Sequence, residues 1–246
     1  MSEPRQLIKE IEEKVKVPSG EWERFSGYGV MGLPFASGHI LALRSFPATS
    51  LGMGYRSIWH RNPEGNWTFY QTIPAEQSCP RYFGSALTKA QQVDDIEIIW
   101  TGVNDFRVSI KEDVRLEWKI SLTTTLATRL MNSIASLIPE PLWQKSGFLN
   151  FMGGVASAML GAGHLGLYGK TPNGQKFIAA PRKIWNVAES TASLQDESFG
   201  TVKPLQKQAK LGDFWVPQRG IFAIGNALFE TYNPTYHQIK LTEKEI

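Results

Sequence analysis

Between Asp105 and Thr123 the chain alternates in polarity, and that alternation constrains the fold more than any other feature. Phe106, Val108 and Ile110 are set against Arg107 and Ser109. Then Val114, Leu116, Trp118, Ile120 and Leu122 are set against Arg115, Glu117, Lys119 and Ser121. Successive side chains of a strand point to opposite faces, so each run buries one face and wets the other. Only Lys111, Glu112 and Asp113 separate them, which makes a hairpin. IEIIW at 96–100 supplies a third strand, joined through residues 102–105.

The stretch WHRNPEGNWTFY at 59–70 adds a second hairpin with a definite register. Asn62 suits the first turn position, Pro63 presets φ for the next, and Gly65 can adopt the left-handed conformation that closes the loop. Trp59 then faces Phe69 and Arg61 faces Trp67 on one side, while His60 meets Thr68 and Ile58 meets Tyr70 on the other. A third instance is GHLGLYGKTPNGQKFIAA, with Pro172, Asn173 and Gly174 as its turn. Strands from about 24 to 123 read as a β meander. The fold class is mainly β, an antiparallel lipocalin-like barrel or strongly curved sheet, because closure removes edges that invite aggregation.

Two segments depart from period two. At 3–16, Leu7, Ile8, Ile11 and Val15 share one side of a docking helix, with Ser2 as its N-cap and Pro4 in its first turn. At about 124–162, Leu126, Leu130, Ile134, Leu137 and Ile138 recur at helical spacing, then LWQKSGFLNFMGGVASAMLGAG follows, so a helical insertion is expected between strands. From Ser146 to Gly169 there is no Asp, Glu, Lys or Arg. Gly153, Gly154, Gly161, Gly163, Gly166 and Gly169 weaken a spanning helix and His164 falls inside it, so this segment reads as a lid over an apolar cavity. The alternative is that 146–169 touches a membrane surface or a partner. Residues 163–246 are expected to close the sheet. STASLQDESFGTVKPLQKQAK reads as loop, Pro217 limits pairing by DFWV, IFAIGNALFE suits a strand or short helix, and LTEKEI suits a tail. Nothing in composition divides residues 1–246 into two domains.

Composition excludes several function classes. The formal net charge is only +3 and no run of five basic residues occurs, so nucleic acid is not an expected partner. Cys79 is the sole cysteine, which rules out an intrachain disulfide and fits a cytoplasmic setting. His39, His60, His164 and His237 are scattered, without the spacing of metal ligands, and no cofactor is implied. GVASAML is not a nucleophile elbow, Pro80 argues against a helix that activates Cys79, and GVMGLPFASGH lacks the ending of a P-loop.

The remaining signal is aromatic. Trp59, Trp67, Phe69, Trp100 and Trp118 suit either a packed core or the wall of an apolar pocket, and the glycine-rich lid favours the pocket. His60, Tyr70 and Arg56 would orient a ligand. Asp213 in GDFWVPQRG, flanked by Phe214, Trp215 and Arg219, is the acid candidate, a structural Asp213–Arg219 pair being its plainer reading. Glu117 falls on the solvent side of its strand.

The order of features in GHILALRSFPATSLGMGYRSIWHRNPEGNWTFYQTIPAEQSCPRYFG and IEIIWTGVNDFRVSIKEDVRLEWKISL resembles the lipocalin-like family that contains carotenoid hydratases and related predicted hydrolases. The chain departs from the two-barrel hydratases in length and in its helical insert. WHRxPxGxWTFY and GDFWxPQRG are also similar to motifs of uncharacterised bacterial proteins. The resemblance implies a β-barrel closed around an apolar ligand. The expected function is binding of a hydrophobic small molecule, isoprenoid, polyketide or acyl-like. Any turnover would be cofactor-free hydration, cyclisation or isomerisation with Asp213, Tyr70 or His60 moving the proton. Expected partners are that molecule, a transient membrane contact, or a second copy of the chain through the same apolar surface.

Overall fold

A computed structural model describes residues 3–14, 16–111 and 113–241, with the side chain of Glu140 outside that description. Its chain order is α1 (Pro4–Glu13), β1 (Glu23–Val30), β2 (Leu33–Pro34), β3 (Ile40–Thr49), β4 (Tyr55–Arg61), β5 (Trp67–Gln71), α2 (Pro80–Phe83), β6 (Lys89–Gln92), β7 (Glu97–Trp100), β8 (Asp105–Ile110) and β9 (Leu116–Thr123). Then come α3 (Leu126–Leu137), α4 (Ser146–Leu160), β10 (Tyr168–Lys170), β11 (Lys176–Leu194), β12 (Glu197–Ser198), β13 (Lys210–Leu211), β14 (Phe214–Trp215) and β15 (Ile221–Phe229). Helix α1 has Glu3, not Ser2, at its cap position. Ser2 and Val15 lie outside the described residues.

The principal sheet runs β6-β5-β4-β3-β1-β15-β11-β9-β8-β7, all antiparallel except the β5/β6 pair. Its two edge strands are sequence neighbours, since β6 ends at Gln92 and β7 begins at Glu97. A link of that length spans at most about 18 Å, so the sheet must curl until its edges approach. The result is a strongly curled, half-barrel sheet with helices attached. Mainly β architecture with an N-terminal helix and a helical insertion is therefore as the periodicity implied.

The interior of the curl is packed solid. Tyr70 from one end of the sheet, Tyr28, Phe222 and Trp185 from its middle, and Phe106, Val108 and Trp118 from the other end form one buried cluster with Ile8 of α1. Trp118 is fully buried and its indole donates to Ser190 Oγ at 2.8 Å. The expected hairpin registers occur, Trp59 opposite Phe69 and Arg61 opposite Trp67, with Gly65 at φ 98°. Glu117 is exposed and lies 3.9 Å from Arg107.

One segment differs from expectation. The chain does not turn irregular at 181 or at Ser190, because β11 continues to Leu194 and β12 follows. Residues 199–209 hold no strand or helix, as the loop reading expected. The pairing of β11 shifts register at Pro181/Lys183 and again at Val187/Glu189. These bulges break period two, which hides the strand in the sequence while letting it leave β15 and join β9. IFAIGNALF forms β15, a central strand between β1 and β11.

Candidate functional site

The cavity begins with a difference in side-chain size between the two faces of three adjacent strands. On β15, Phe222 and Ile224 point into the curl, while Ala223, Gly225 and Ala227 point the other way. The neighbouring rows match. Gly225 pairs with Gly27 of β1 and Pro181 of β11, and Ala227 pairs with Phe25 and Ala179. Apart from Phe25 these rows carry small groups, and at Gly27 an added Cβ would lie 2.0 Å from the Ser45 carbonyl oxygen. Helices α3 and α4 cross beside the patch and are held there. Asn132 of α3 both donates to the Ile184 carbonyl and accepts from its amide, at 2.9 and 2.8 Å.

What remains is a cavity of about 170 Å³, walled by Met131, Met152, Ala156 and Leu160 from the helices and by Trp59, Phe83, Phe177 and Trp215 elsewhere. Almost all of its lining lies outside the packed interior of the curl. The helical insert thus covers a cavity, but not one inside the barrel.

The wall is apolar except at one pole. Strand β3 presents Ile40, Ala42, Arg44 and Phe46 to the same face as Tyr55, Ser57 and Trp59 of β4, with Arg44 opposite Ser57 and Ala42 opposite Trp59. Small Ala42 leaves the Trp59 ring open, and the Arg44 guanidinium sits 4.4 Å from its centroid and 5.5 Å from that of Phe214. Arg44 is 5 % exposed. It donates to the carbonyls of Val30, Leu43 and Met31 at 2.7, 2.8 and 3.2 Å, and it pairs with no carboxylate among the described residues. Burial lowers its pKa to about 10, so it stays charged at neutral pH.

Beside it Tyr55 Oη and Cys79 Sγ lie 3.3 Å apart. Burial raises both acids, leaving a phenol and a thiol at neutral pH. The Trp59 indole N–H and Ser57 hydroxyl are near the same sulfur, and neither makes a hydrogen bond among the described residues. Cys79 does precede a helical turn after all, because Pro80 takes the first helical position, where its missing N–H costs nothing. Tyr82, also in the wall, is anchored by Glu23, which accepts from Tyr82 Oη at 2.5 Å and from Arg81 Nη2 at 2.8 Å. Burial opposes ionisation of Glu23, but hydrogen bonds from Arg81, Tyr82 and Gln175 outweigh it and hold the carboxyl below its usual range.

Of the residues singled out in the sequence, Trp59 and Trp215 line the cavity. Tyr70, His60 and Arg56 occupy the opposite parity of their strands, which directs them away from Trp59. Tyr70 is buried in the curl, Arg56 reaches Asp95 at 3.5 Å and the Ile96 carbonyl at 2.9 Å, and His60 pairs with His39. Trp100 tilts against Phe106, and Trp118 is core. Asp213 is exposed and caps the amide of Lys170 at 2.9 Å, and Arg219 is exposed and makes no ion pair with it. The acid in the pocket is therefore absent from that position. Sequence reasoning missed Arg44, although a lone cation on the apolar parity of ILALRSF was a usable signal.

No family model matches the chain, and no curated protein matches it. Among solved structures, it is similar to acetoacetate decarboxylase from Legionella pneumophila subsp. pneumophila str. Philadelphia 1. That likeness covers 88% of this chain and 87% of the other at 9% identity, with a TM-score of 0.42. A likeness that distant carries no functional argument.

Proposed function

We propose that this protein binds a small, largely apolar molecule in the cavity between the small-residue patch and helices α3 and α4. The supporting observation is the cavity itself, about 170 Å³ with an almost wholly apolar wall and one polar pole. Apolar cavities near 150 Å³ accept a benzene-sized group, so the site suits a short acyl chain or a single ring better than a long isoprenoid. Binding fits better than turnover. The polar groups at the pole, Arg44, Tyr55, Cys79 and the Trp59 indole, are all donors at neutral pH, and no carboxylate or imidazole is among the lining residues to act as a base. Asp213 and Tyr70 lie elsewhere, so any proton donor to a bound ligand would be Tyr55.

The test is titration of the protein with 1-hexanol and with hexanoate, followed by calorimetry, in the wild type and in Ala227→Phe. At least one of the two should bind the wild type and be lost, tenfold or more, when the added ring fills the cavity. Equal binding by both proteins would refute the site.

A second reading has its own support. Leu126, Leu130 and Leu137 form one stripe of α3, and Leu126 and Leu137 are 83% and 82% exposed, with Phe151 of α4 at 66%. Such groups on the helices beside the cavity suit contact with a lipid surface or a second copy of the chain. No helix among the described residues is long and apolar enough to cross a membrane. Vesicle flotation with Leu126→Ser/Leu137→Ser/Phe151→Ser separates these: flotation lost in the variant supports the lipid surface, and loss of a dimer on size exclusion supports self-association.

A further inference from the structure

The unpaired cation at the cavity pole says what kind of small molecule belongs there. Resting on the reading of the cavity as a ligand site, we propose that the ligand is an apolar monocarboxylate whose head group pairs with Arg44.

A buried charge is costly unless it is paired, and buried cations in proteins normally face a carboxylate. Arg44 faces none among the described residues. Guanidinium has five N–H donors. Both hydrogens of Nη1 and one of Nη2 go to main-chain carbonyls, so Nε–H and the other Nη2–H have no partner among the described residues. Nε and Nη2 lie on one edge of the guanidinium plane, the edge that takes a carboxylate through two parallel hydrogen bonds. The rings of Trp59 and Phe214, with centroids 5.6 Å apart, both lie to one side of the guanidinium carbon, at 4.4 and 5.5 Å from it.

The surroundings supply further donors and no competing acceptor of negative charge. Trp59 is 2% exposed, lines the cavity, and its indole N–H lacks a hydrogen bond among the described residues. Tyr55 Oη can turn its proton from the Cys79 sulfur toward an incoming oxygen. A single guanidinium balances a single negative charge. A phosphate monoester, at about −1.5 to −2, would bring surplus charge into a wall that is otherwise apolar. The apolar remainder of the ligand then lies along Met152, Ala156 and Phe177 toward the small-residue patch.

Calorimetry at pH 7 with hexanoate, 1-hexanol and hexyl phosphate tests this on wild type, Arg44→Met and Arg44→Lys. Wild type should bind hexanoate at least tenfold more tightly than 1-hexanol, and more tightly than hexyl phosphate. Arg44→Met should lose that preference while still binding 1-hexanol, and Arg44→Lys should keep part of it. Should Arg44→Met fail to fold, the wild-type ratio and Arg44→Lys decide alone. Binding of 1-hexanol as tightly as hexanoate by the wild type would overturn the carboxylate while leaving the cavity in place, and tighter binding of hexyl phosphate would do the same. If none of the three binds, the cavity reading itself falls and this inference with it.

Discussion

Lowering the pH should unfold this protein in a window set by one imidazole pair. His60 is 6% exposed, its Nε2 lies 2.8 Å from His39 Nδ1, and both rings stack with Phe199. Burial first, then the field of His39, pulls the pKa of His60 from 6.5 to about 4. Between those values the unfolded chain takes up a proton that the folded chain refuses, so stability falls as pH falls. The contribution is whole above about pH 6.5 and is lost as the pH drops toward and through 4. At about 1.4 kcal/mol for each pH unit crossed, the full loss is roughly 3 kcal/mol. His39, also lowered by burial, adds to it with the same sign, whereas the charges of Glu197 and Glu64 work against that shift. Urea unfolding of wild type and His60→Gln at pH 7, 6, 5 and 4.5 isolates the effect, because titrating carboxylates are common to both. The wild type should lose about 2 to 3 kcal/mol more than the variant across that range. Parallel pH profiles, or an imidazole resonance of His60 that titrates above pH 6, would refute the reasoning.

Two further outcomes follow from groups near the cavity. Glu23→Gln leaves the Arg81 guanidinium and the Tyr82 hydroxyl without their anionic acceptor, and should cost roughly 2 to 3 kcal/mol at pH 7 by urea unfolding. Because the Glu23 pKa is lowered, the wild type's advantage over this variant should shrink as pH falls below the ordinary carboxylate range, and an advantage that persists there would contradict the pairing. Gly27→Ala places a methyl group 2.0 Å from the Ser45 carbonyl, so strand β1 must shift from β3 and stability should fall by roughly 3 kcal/mol or more. An unchanged melting temperature in Gly27→Ala would show that the strands are not so close.

Much of the fold was legible because alternation and turn chemistry are local. The Asn62–Gly65 turn carries its register in a dozen residues and occurs as written. The β8–β9 hairpin keeps its buried face but closes through a longer loop, with Ile110 opposite Leu116 and Arg115 at φ 46° in place of a three-residue connection. Local pattern does not say which face of a curled sheet is the inside. Trp59 and Trp118 look alike in sequence, yet Trp118 fills the curl and Trp59 walls the cavity. Nor does it reveal that Asp213, for all its aromatic neighbours, sits in an exposed turn, because burial there depends on how β13 and β14 meet Lys170. Strand β11 was hidden for a related reason, since its bulges reset the parity that identifies a strand.

The informative position was the one where the pattern is broken without local compensation. Along β3 the parity of Ile40, Ala42 and Phe46 is that of buried apolar side chains, and Arg44 interrupts it. A methionine there would satisfy both packing and solvation, and exchanging a buried charge for an apolar group of similar volume is often neutral or stabilising. Arginine instead donates to three main-chain carbonyls, lies near two aromatic rings, and lines the cavity with N–H donors that have no partner among the described residues. Real sequences break local rules at functional sites and offset the cost elsewhere. At Arg44 the offset inside the chain is incomplete, and the missing part is an anion that the cavity has room to admit.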